Sequence, residues 1–319
     1  MLEGVPYPLI PGHVSVGRLL KIRGVLLDVE GNQFQEGDRV TFLDVHRTCN
    51  ACWYCLVAKA TTRCPHRKVY GITYGAQDGL SGGWAEQVYL KPGTRCIRLD
   101  AEPERFMAGG CALPTALHAV ERGDIAIGDT VLVLGSGPVG LNAIILALMR
   151  GARRVFCIGA PRPRLDAALE AGATDVLNFE EHTEQERLEW VRRQSDILPD
   201  VTIEATGHPD AVIQAMRFTR DAGRVVVVGQ YTDHGPVSNE VAFNPHLDLN
   251  KKHLDVRGCW GSDFSHFYRA AQIISDRERS APWGRLQSKL SRFGLSQANE
   301  ALEAVAGGSV LKALIDPRI

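Results

Sequence analysis

The chain has 319 residues, of which 45% are hydrophobic and 23% are charged, and its formal net charge is −1. This length predicts two domains rather than one core. The near-neutral charge excludes the basic surface that nucleic acids and anionic membranes require. No apolar run reaches the roughly 18 residues that cross a bilayer, and residues 1–10 lack the features of a signal peptide. We therefore expect a cytoplasmic protein with no nucleic-acid or membrane partner.

Residues 1–100 contain short apolar runs separated by turns rich in glycine and proline. The runs lie at residues 15–22, 24–30, 38–45 and 84–90. Short runs with this spacing predict strands joined by turns. The first part of the chain is therefore expected to be β-rich.

From about residue 128, apolar strands alternate with helical patterns. The first strand is predicted at residues 129–137, and an apolar helix follows at 138–151, closed by Gly151. Later strands are predicted at 153–159, 175–179, 200–206, 224–230 and 253–258, and later helices at 162–172, 180–194 and 209–223. This alternation indicates a doubly wound parallel sheet of the Rossmann type.

A glycine pattern lies where the first of these strands meets its helix. Residues 135–140 match the G-x-G-x-x-G pattern, which suits a tight turn, close approach of pyrophosphate and helix–strand packing. Free N–H groups at the helix start favour phosphate. The alternative is a glycine turn that binds nothing. The predicted cofactor-binding residues are Gly135, Ser136, Gly137, Pro138, Val139 and Gly140, together with Thr206 and Gly229.

The end of the second strand favours NADP over NAD. An NAD site usually has Asp or Glu there to bind the ribose 2′-hydroxyl, whereas this chain has Gly159. Arg162 and Arg164 follow, and guanidinium groups suit a 2′-phosphate. The alternative is that both arginines are solvated and bind no ligand.

Four of the eight cysteines are clustered in the sequence, at Cys49, Cys52, Cys55 and Cys64. In a reducing compartment, such a cluster indicates a metal rather than disulfides. Thiolates this close together can surround one tetrahedral zinc and leave no open position, which predicts a structural zinc. A thiol redox switch and an iron–sulfur cluster are the alternatives.

These features, together with several short motifs, resemble the medium-chain zinc-containing dehydrogenases, which include alcohol, sorbitol and threonine dehydrogenases. The motifs occur in the family's order: PLIPGH, GDRVTF, the four-cysteine segment, GGWAEQVYL, GGCALPTALHA, GDTVLVLGSGPVG, DVTIEATG and GRVVVVG. The resemblance implies an α/β protein with a GroES-like β-rich catalytic domain at residues 1–112 and 264–319. A Rossmann domain would occupy residues 113–263. The cysteine segment corresponds to the family's structural zinc lobe, with one extra residue before Cys64.

The resemblance also implies a catalytic zinc, because His13 and Cys111 match the family's second and third ligands to that ion. Zinc in such a site acts as a Lewis acid on an alcohol or carbonyl oxygen while hydride moves to or from the nicotinamide. We expect a small alcohol or carbonyl substrate, and a homodimer or homotetramer.

Two departures from the family lie near His13. The family's first zinc ligand and its proton-relay Ser or Thr precede the stretch that this chain covers, so the resemblance describes a chain shortened at its N-terminus. Val14 replaces the family's glutamate. The sequence leaves open a start upstream of Met1 or a domain that has adapted, for instance by pairing with another subunit. His46 and Glu86 are the residues considered for completing the site.

Three functions are compatible with this sequence. The first is a zinc-dependent oxidoreductase that transfers hydride between NAD(P) and a secondary alcohol or polyol, or the matching carbonyl. The second is a zinc-independent reductase of enones or quinones from the same superfamily, which Val14 favours. The third is a shortened relative that binds cofactor with little or no turnover. We assign no catalytic role to the later histidines His234, His246, His253 and His266.

Overall fold

The two sequence regions of different pattern fold as two units. The structure is a computed structural model that describes residues 5–195, 197–229 and 242–319. The first unit comprises Met1–Cys111 and Ser262–Ile319, and the second comprises Ala112–Gly261. The sequence interpretation placed the corresponding boundaries after residues 112 and 263.

The structure describes short strands in the first unit and a longer alternation of strands and helices in the second. The strands are β1 (Val16–Arg18), β2 (Arg39–Phe42), β3 (Val45–Arg47), β4 (Lys68–Val69), β5 (Cys96–Arg98), β6 (Thr130–Leu134), β7 (Arg154–Gly159), β8 (Asp175–Asn178), β9 (Val201–Glu204), β10 (Arg224–Val227), β11 (Asp255–Gly258), β12 (Leu290–Phe293) and β13 (Lys312–Ile315). The α-helices are α1 (Trp53–Leu56), α2 (Pro103–Gly109), α3 (Ala112–Arg122), α4 (Pro138–Met149), α5 (Arg162–Ala171), α6 (Glu184–Gln194), α7 (Pro209–Phe218), α8 (Phe264–Ser275), α9 (Ala281–Leu286) and α10 (Ala298–Ala306). Among the described residues, no helix has the length and apolar character needed to cross a membrane.

The first unit is built on a small antiparallel sheet. Its central strand β2 pairs with β1 on one side and β5 on the other. Val40 and Phe42 of β2 pack in a buried cluster with Leu19, Phe34 and Tyr70. Burial of apolar surface contributes about 25 cal/mol per Å², so this cluster is what stabilises the sheet.

One expected strand of this unit, at residues 24–30, is a loop in the structure. A single β-bridge joins Leu27 to Gln33. The loop closes on itself because the N–H of Phe34 donates to the carbonyl of Leu26 at 2.9 Å. The expectation of a strand was wrong because the chain turns back before a longer ladder can form.

The expected strand at residues 84–90 is also absent from the described secondary structure. The N–H of Trp84 donates to the carbonyl of Pro11, and that of Tyr89 donates to the carbonyl of Leu80. An extended segment is a strand only if a neighbouring strand takes up its alternate N–H and C=O groups. Here these groups bond to loops, so the apolar pattern alone was misleading.

The second unit contains a parallel sheet of six strands in the order β11-β10-β9-β6-β7-β8. Every neighbouring pair is parallel. This is the Rossmann strand order, and its order reverses between β6 and β9. The predicted α/β fold class, with a β-rich part and a Rossmann sheet, is confirmed. In such sheets, ligands bind beyond the carboxyl ends of the strands at the point of reversal.

Helix α3 was not predicted from the sequence. Its first residues belong to the segment GGCALPTALHA, which was interpreted only as a family motif. Its buried residues, among them Leu113, Leu117 and Val120, form one apolar face. Pro114 lies in the first turn, where the missing N–H breaks no helical hydrogen bond. A proline near the start of a segment therefore does not argue against a helix.

Candidate active site and metal centres

His13 follows a tightly packed glycine. Gly12 has a φ of +94°, which lies in the left-handed region that favours glycine. A Cβ at this position would lie 2.6 Å from Cδ1 of Trp84, so no larger residue fits. Close backbone contact therefore fixes the chain immediately before the half-buried His13.

Cys111 meets His13 although the two residues are far apart in the chain. Cys111 follows α2, and the preceding segment is held by Lys312, whose Nζ donates to the carbonyl of Gly109 at 3.4 Å. The side chains of His13 and Cys111 lie close enough for each to shift the pKa of the other. Cys111 keeps its contact with solvent, so a ligand has access to the pair.

The contact shifts the pKa values of both groups. Interaction with the Cys111 side chain raises the pKa of His13, and burial offsets only part of this effect. Cys111 keeps some contact with solvent, but the protein around its sulfur displaces much of the water that would solvate a thiolate. This loss of solvation by itself raises the pKa of Cys111. The side-chain interaction with His13 and the charge of His13 outweigh that effect, so the pKa of Cys111 lies below its ordinary value. A thiolate is the form of cysteine that binds metals.

Asp44 belongs to the same cluster and was missed in the sequence. It lies between β2 and β3, where its Oδ1 accepts the N–H of Val45 at 2.9 Å. Burial raises the pKa of Asp44, whereas the charges of His13 and Arg67 lower it. The charge of Asp44 in turn contributes to the raised pKa of His13. The sequence did contain one signal for this role, since Asp44 is a carboxylate that closely follows an apolar strand. A carboxylate in such a position is often buried, and a buried charge needs a charged or hydrogen-bonding partner nearby.

The two residues considered for completing this site are not brought to it. The His46 ring contacts the Tyr74 hydroxyl through Nδ1 at 2.5 Å and the Pro92 carbonyl through Nε2 at 3.0 Å. Both ring nitrogens of His46 are therefore engaged in the protein. Glu86 is exposed at the surface.

The four clustered cysteines converge in space. Their Sγ atoms all lie within 4.8 Å of one another. The sulfurs of Cys52 and Cys55 are 3.6 Å apart, as are those of Cys49 and Cys64. A disulfide would require about 2.05 Å. With a Zn–S bond of about 2.3 Å, a tetrahedral site separates its sulfurs by about 3.8 Å, so the arrangement fits one zinc ion.

The thiols in this cluster differ in their readiness to ionise. The backbone N–H of Ala51 lowers the pKa of Cys49 to about 6. Burial, followed by hydrogen bonding to Cys52, raises the pKa of Cys55 to about 12. Four thiolates in one place repel one another, and a cation between them removes that cost. The cluster therefore has the electrostatics of a metal site.

The glycine loop has the geometry expected of a phosphate-binding turn. Gly135 has a φ of +106°, and a Cβ on Gly140 would lie 1.9 Å from the carbonyl oxygen of Gly135. This close approach lets α4 pack on β6. Gly137 caps α4 and has open space where a Cβ would be, so a phosphate can approach the backbone there. Pro138 and Val139 form the first turn of α4.

Comparison with known proteins agrees with both units. The profile of the alcohol dehydrogenase GroES-like domain matches residues 1–101, and that of the zinc-binding dehydrogenases matches residues 138–276. The chain is 32% identical over 317 residues to 5-exo-hydroxycamphor dehydrogenase of Pseudomonas putida, covering 98% of this chain and 84% of that protein. The chain belongs to the zinc-type medium-chain alcohol dehydrogenase family.

Two further relatives agree with this family membership. Erythritol/L-threitol dehydrogenase of Mycolicibacterium smegmatis is 31% identical to this chain. The alignment covers 94% of this chain and 77% of that protein. The crystal structure of an alcohol dehydrogenase from Thermotoga maritima superposes with a TM-score of 0.90 at 30% identity, covering 98% of this chain and 85% of that one. This medium-chain dehydrogenase is thus an oxidoreductase whose reaction class is hydride transfer between a nicotinamide cofactor and an alcohol or its carbonyl counterpart.

The second strand of the dehydrogenase's Rossmann sheet ends without a carboxylate. A Cβ on Gly159 would lie 2.4 Å from Oγ of Ser136, so a longer side chain is excluded from this position. Arg162 is exposed and pairs with Asp166 at 2.9 Å. The Nε of Arg164 is shielded from solvent and has no hydrogen-bond partner in the described part of the chain.

Glu204, at the end of β9, is a second residue of the dehydrogenase that sequence reasoning missed. Its side chain is fully buried. Its Oε1 accepts the N–H and the hydroxyl of Thr206, at 2.6 and 2.5 Å, and the N–H of Gly207 at 3.2 Å. Its backbone carbonyl accepts the N–H of Gly229 at 3.0 Å. Glu204 therefore holds the backbone at Thr206 and at Gly229, the two later residues that were predicted to bind the cofactor.

The later histidines are distributed widely. His246 is exposed within a π-helical stretch at Pro245–Asn250. His253 is exposed in the turn before β11. His266 is buried in α8, and its Nδ1 pairs with Asp263 at 2.8 Å. His234 lies outside the described residues.

Proposed function

We propose that this dehydrogenase interconverts a secondary alcohol or polyol and its carbonyl at a zinc ion held by His13 and Cys111. The observation that carries the proposal is the contact between these two side chains, which are zinc-ligand types from distant parts of the chain. A catalytic zinc usually takes three protein ligands and keeps one position open. His13 and Cys111 fit two of these ligands, and the exposure of Cys111 leaves access for substrate.

The protein's own groups would prepare this site. When bound, the zinc would supply Lewis acidity to the substrate oxygen. Cys111 would bind as a thiolate, which its lowered pKa favours, and His13 would bind through a neutral ring nitrogen. The charge of Asp44 favours a cation beside His13, because opposite charges attract more strongly away from bulk water.

Metal counting and a substrate panel test this proposal. We expect about two zinc ions per chain, and oxidation of secondary alcohols or polyols that depends on the more open ion. The control is His246→Gln, which changes an exposed histidine and should retain both ions and full activity. About one zinc per chain, with enone or quinone reduction that persists in His13→Ala, would instead establish the zinc-independent reductase.

We also propose that NADP is preferred over NAD. The support is the absence of a carboxylate at Gly159 and the shielded, unpartnered Nε of Arg164. Arg162 is less available because it pairs with Asp166. A guanidinium binds a phosphate through charge-assisted hydrogen bonds.

The cofactor preference is measured as the ratio of kcat/KM for NADPH to that for NADH. We expect a ratio above one that falls about tenfold in Arg164→Gln, since a charge-assisted hydrogen bond contributes roughly 1.5 kcal/mol or more. Arg153→Gln, a change outside this loop, is the matched control and should leave the ratio unaltered. A wild-type ratio below one would contradict the preference.

We further propose that Cys49, Cys52, Cys55 and Cys64 hold a structural zinc. The near-tetrahedral sulfur separations support a single closed ion. An iron–sulfur cluster places several iron and sulfide atoms between its thiolates and so needs wider spacing. Zinc thiolates also require reduced cysteines, which supports a cytoplasmic location.

A homodimer or homotetramer is the proposed assembly. Large exposed apolar side chains support this assembly. Among them are Trp53, Leu56 and Val57 in the four-cysteine segment at residues 49–64, which we call the cysteine lobe. Exposed apolar patches of this kind commonly mark interfaces. Light scattering coupled to gel filtration measures the mass directly, and a monomer at micromolar concentration would contradict this proposal.

A further inference from the structure

A polar cavity of 610 Å³ lies beside the cysteine lobe, within the first unit. Its wall includes the ends of β3, the residues before α1, the loop before β5 and the first residues of α8. The volume is within the range of small-molecule sites. Neither His13 nor Cys111 lines this cavity, so it is distinct from the proposed catalytic pair.

Three arginines line the cavity: Arg47, Arg67 and Arg95. In the described part of the chain, none of the three lies within ion-pairing distance of a carboxylate. Arginine stays charged under all ordinary conditions. Three guanidinium groups around one cavity repel one another, and an anion between them would relieve this repulsion.

The single carboxylate in the wall does not balance these charges. Asp263 caps α8, and its Oδ1 accepts the N–H of Ser265 at 2.9 Å and the Ser265 hydroxyl at 2.8 Å. The same carboxylate pairs with His266 at 2.8 Å. Asp263 is therefore committed to its own helix.

Arg67 also interacts with the charge of the buried Asp44, and Cys49 in the wall would share its thiolate charge with the proposed zinc. The positive charges in the wall without a carboxylate partner are therefore mainly those of Arg47 and Arg95.

Two of the three arginines have features that bear on ligand binding, whereas Arg47 is exposed. Arg95 lies over the Phe264 ring, with its Cζ 5.4 Å from the ring centre. The Nε of Arg67 is shielded from solvent and has no hydrogen-bond partner among the described residues. A buried donor without an acceptor costs free energy, and a ligand oxygen would satisfy it. The hydroxyl-bearing residues Thr61 and Thr62 line the same cavity.

We propose that this cavity binds a small molecule carrying a phosphate dianion. Planar, forked guanidinium groups match phosphate oxygens in pairs, and the cavity is larger than phosphate alone requires. The glycine loop belongs to the other unit, so the site is separate from the proposed cofactor site. The proposal goes beyond the dehydrogenase reaction and does not depend on it.

Isothermal titration calorimetry of the zinc-loaded full chain tests this inference. Inorganic phosphate and glycerol 3-phosphate are titrated separately at constant ionic strength, with glycerol as the uncharged control. NAD is present at saturation, so that the glycine loop is already filled by a dinucleotide that carries no phosphate monoester. We expect binding of at least one phosphate compound and none of glycerol. Tighter binding of glycerol 3-phosphate would identify an ester as the ligand class, and equal or tighter binding of inorganic phosphate would identify the free ion.

Variants of the wall locate the binding. Arg47→Gln with Arg95→Gln should weaken phosphate binding at least tenfold, because each charge-assisted contact contributes about that factor. Arg47→Lys, which keeps the charge but not the fork, should have an intermediate effect. Arg277→Gln removes the same charge from an exposed position of the same unit, outside the cavity wall, and should bind as wild type.

Two outcomes would overturn the proposal. The first is no measurable heat with either phosphate compound, and the second is unchanged binding in the double variant. Thermal unfolding and zinc content are measured on every variant. If the double variant does not fold, the exposed Arg47→Gln alone decides the question, with a smaller expected loss of several-fold. The activity of the dehydrogenase is not a readout here, so failure of this proposal and failure of the proposed reaction are distinguishable.

Discussion

The cysteine lobe and the His13–Cys111 pair differ in how their residues come together. In the lobe, all four sulfurs converge from one short stretch of chain. In the pair, one residue lies near the start of the first unit and the other at the end of that unit's first segment. Ligands that are close in sequence can be gathered by one loop, at low entropic cost. Ligands that are far apart depend on the whole unit being folded.

This difference predicts two different metal sites. Four thiolates around one ion leave no open position, which suits a structural role. A histidine and a solvent-exposed cysteine leave room for further ligands, which suits chemistry. The lobe should therefore govern stability, and the pair should govern turnover.

Removal of one lobe ligand should have the largest effect. We expect Cys64→Ala to lose one zinc per chain and to unfold the lobe, because a structural zinc contributes about 10 kcal/mol or more. Zinc analysis and thermal unfolding measure this. The matched control is Cys96→Ala, a buried core cysteine, which should keep its zinc and lose only about 1 kcal/mol. A stable, active Cys64→Ala protein would remove the distinction between the two sites.

Removal of a ligand from the pair should affect rate rather than stability. We expect His13→Ala to lower kcat/KM for an alcohol about a thousandfold or more, since a Lewis-acid metal contributes several kcal/mol to the transition state. Its melting temperature should change by only a few degrees, and its lobe zinc should remain. Turnover within tenfold of wild type would show that the pair does not hold the catalytic ion.

Asp44→Asn should have an intermediate effect. The variant keeps the shape of the side chain but loses the charge that favours a cation beside His13. We expect zinc affinity at the pair to fall about 10- to 100-fold, as for other residues that support metal ligands. Competition with a chromogenic chelator measures the affinity. Asp100→Asn, an exposed carboxylate of the same unit, is the control, and equal affinities in the two variants would contradict this role.

The smallest effect concerns thiol reactivity in protein from which the more open zinc has been removed. His13 lowers the pKa of Cys111, so iodoacetamide should alkylate Cys111 at lower pH than an ordinary thiol. His13→Gln should raise the midpoint and slow the reaction at pH 7 several-fold. Cys96 should stay unreacted, because burial raises its pKa to about 11. Mass spectrometry of tryptic peptides follows both sites, and a midpoint unaffected by His13→Gln would refute the coupling.

The same contrast explains what could be predicted from the sequence. The cysteine lobe and the glycine loop are local patterns, because their geometry is encoded in adjacent residues. The strands of the second unit were equally predictable, since buried parallel strands are continuous apolar runs. The roles of Asp44 and Glu204 were not, because each depends on partners that only the folded chain provides. The misassigned strand at residues 84–90 failed for the same reason.

Glu204 has a further consequence for the motion of the molecule. The loop after β9 is irregular, and loops of this kind usually exchange their amide hydrogens quickly. Here the N–H groups of Thr206 and Gly207 donate to a carboxylate that has no contact with solvent. Their exchange should require the sheet itself to open. In hydrogen–deuterium exchange, this loop should therefore be protected like the interior of β9, and the surface that would face a dinucleotide should be rigid before any ligand arrives.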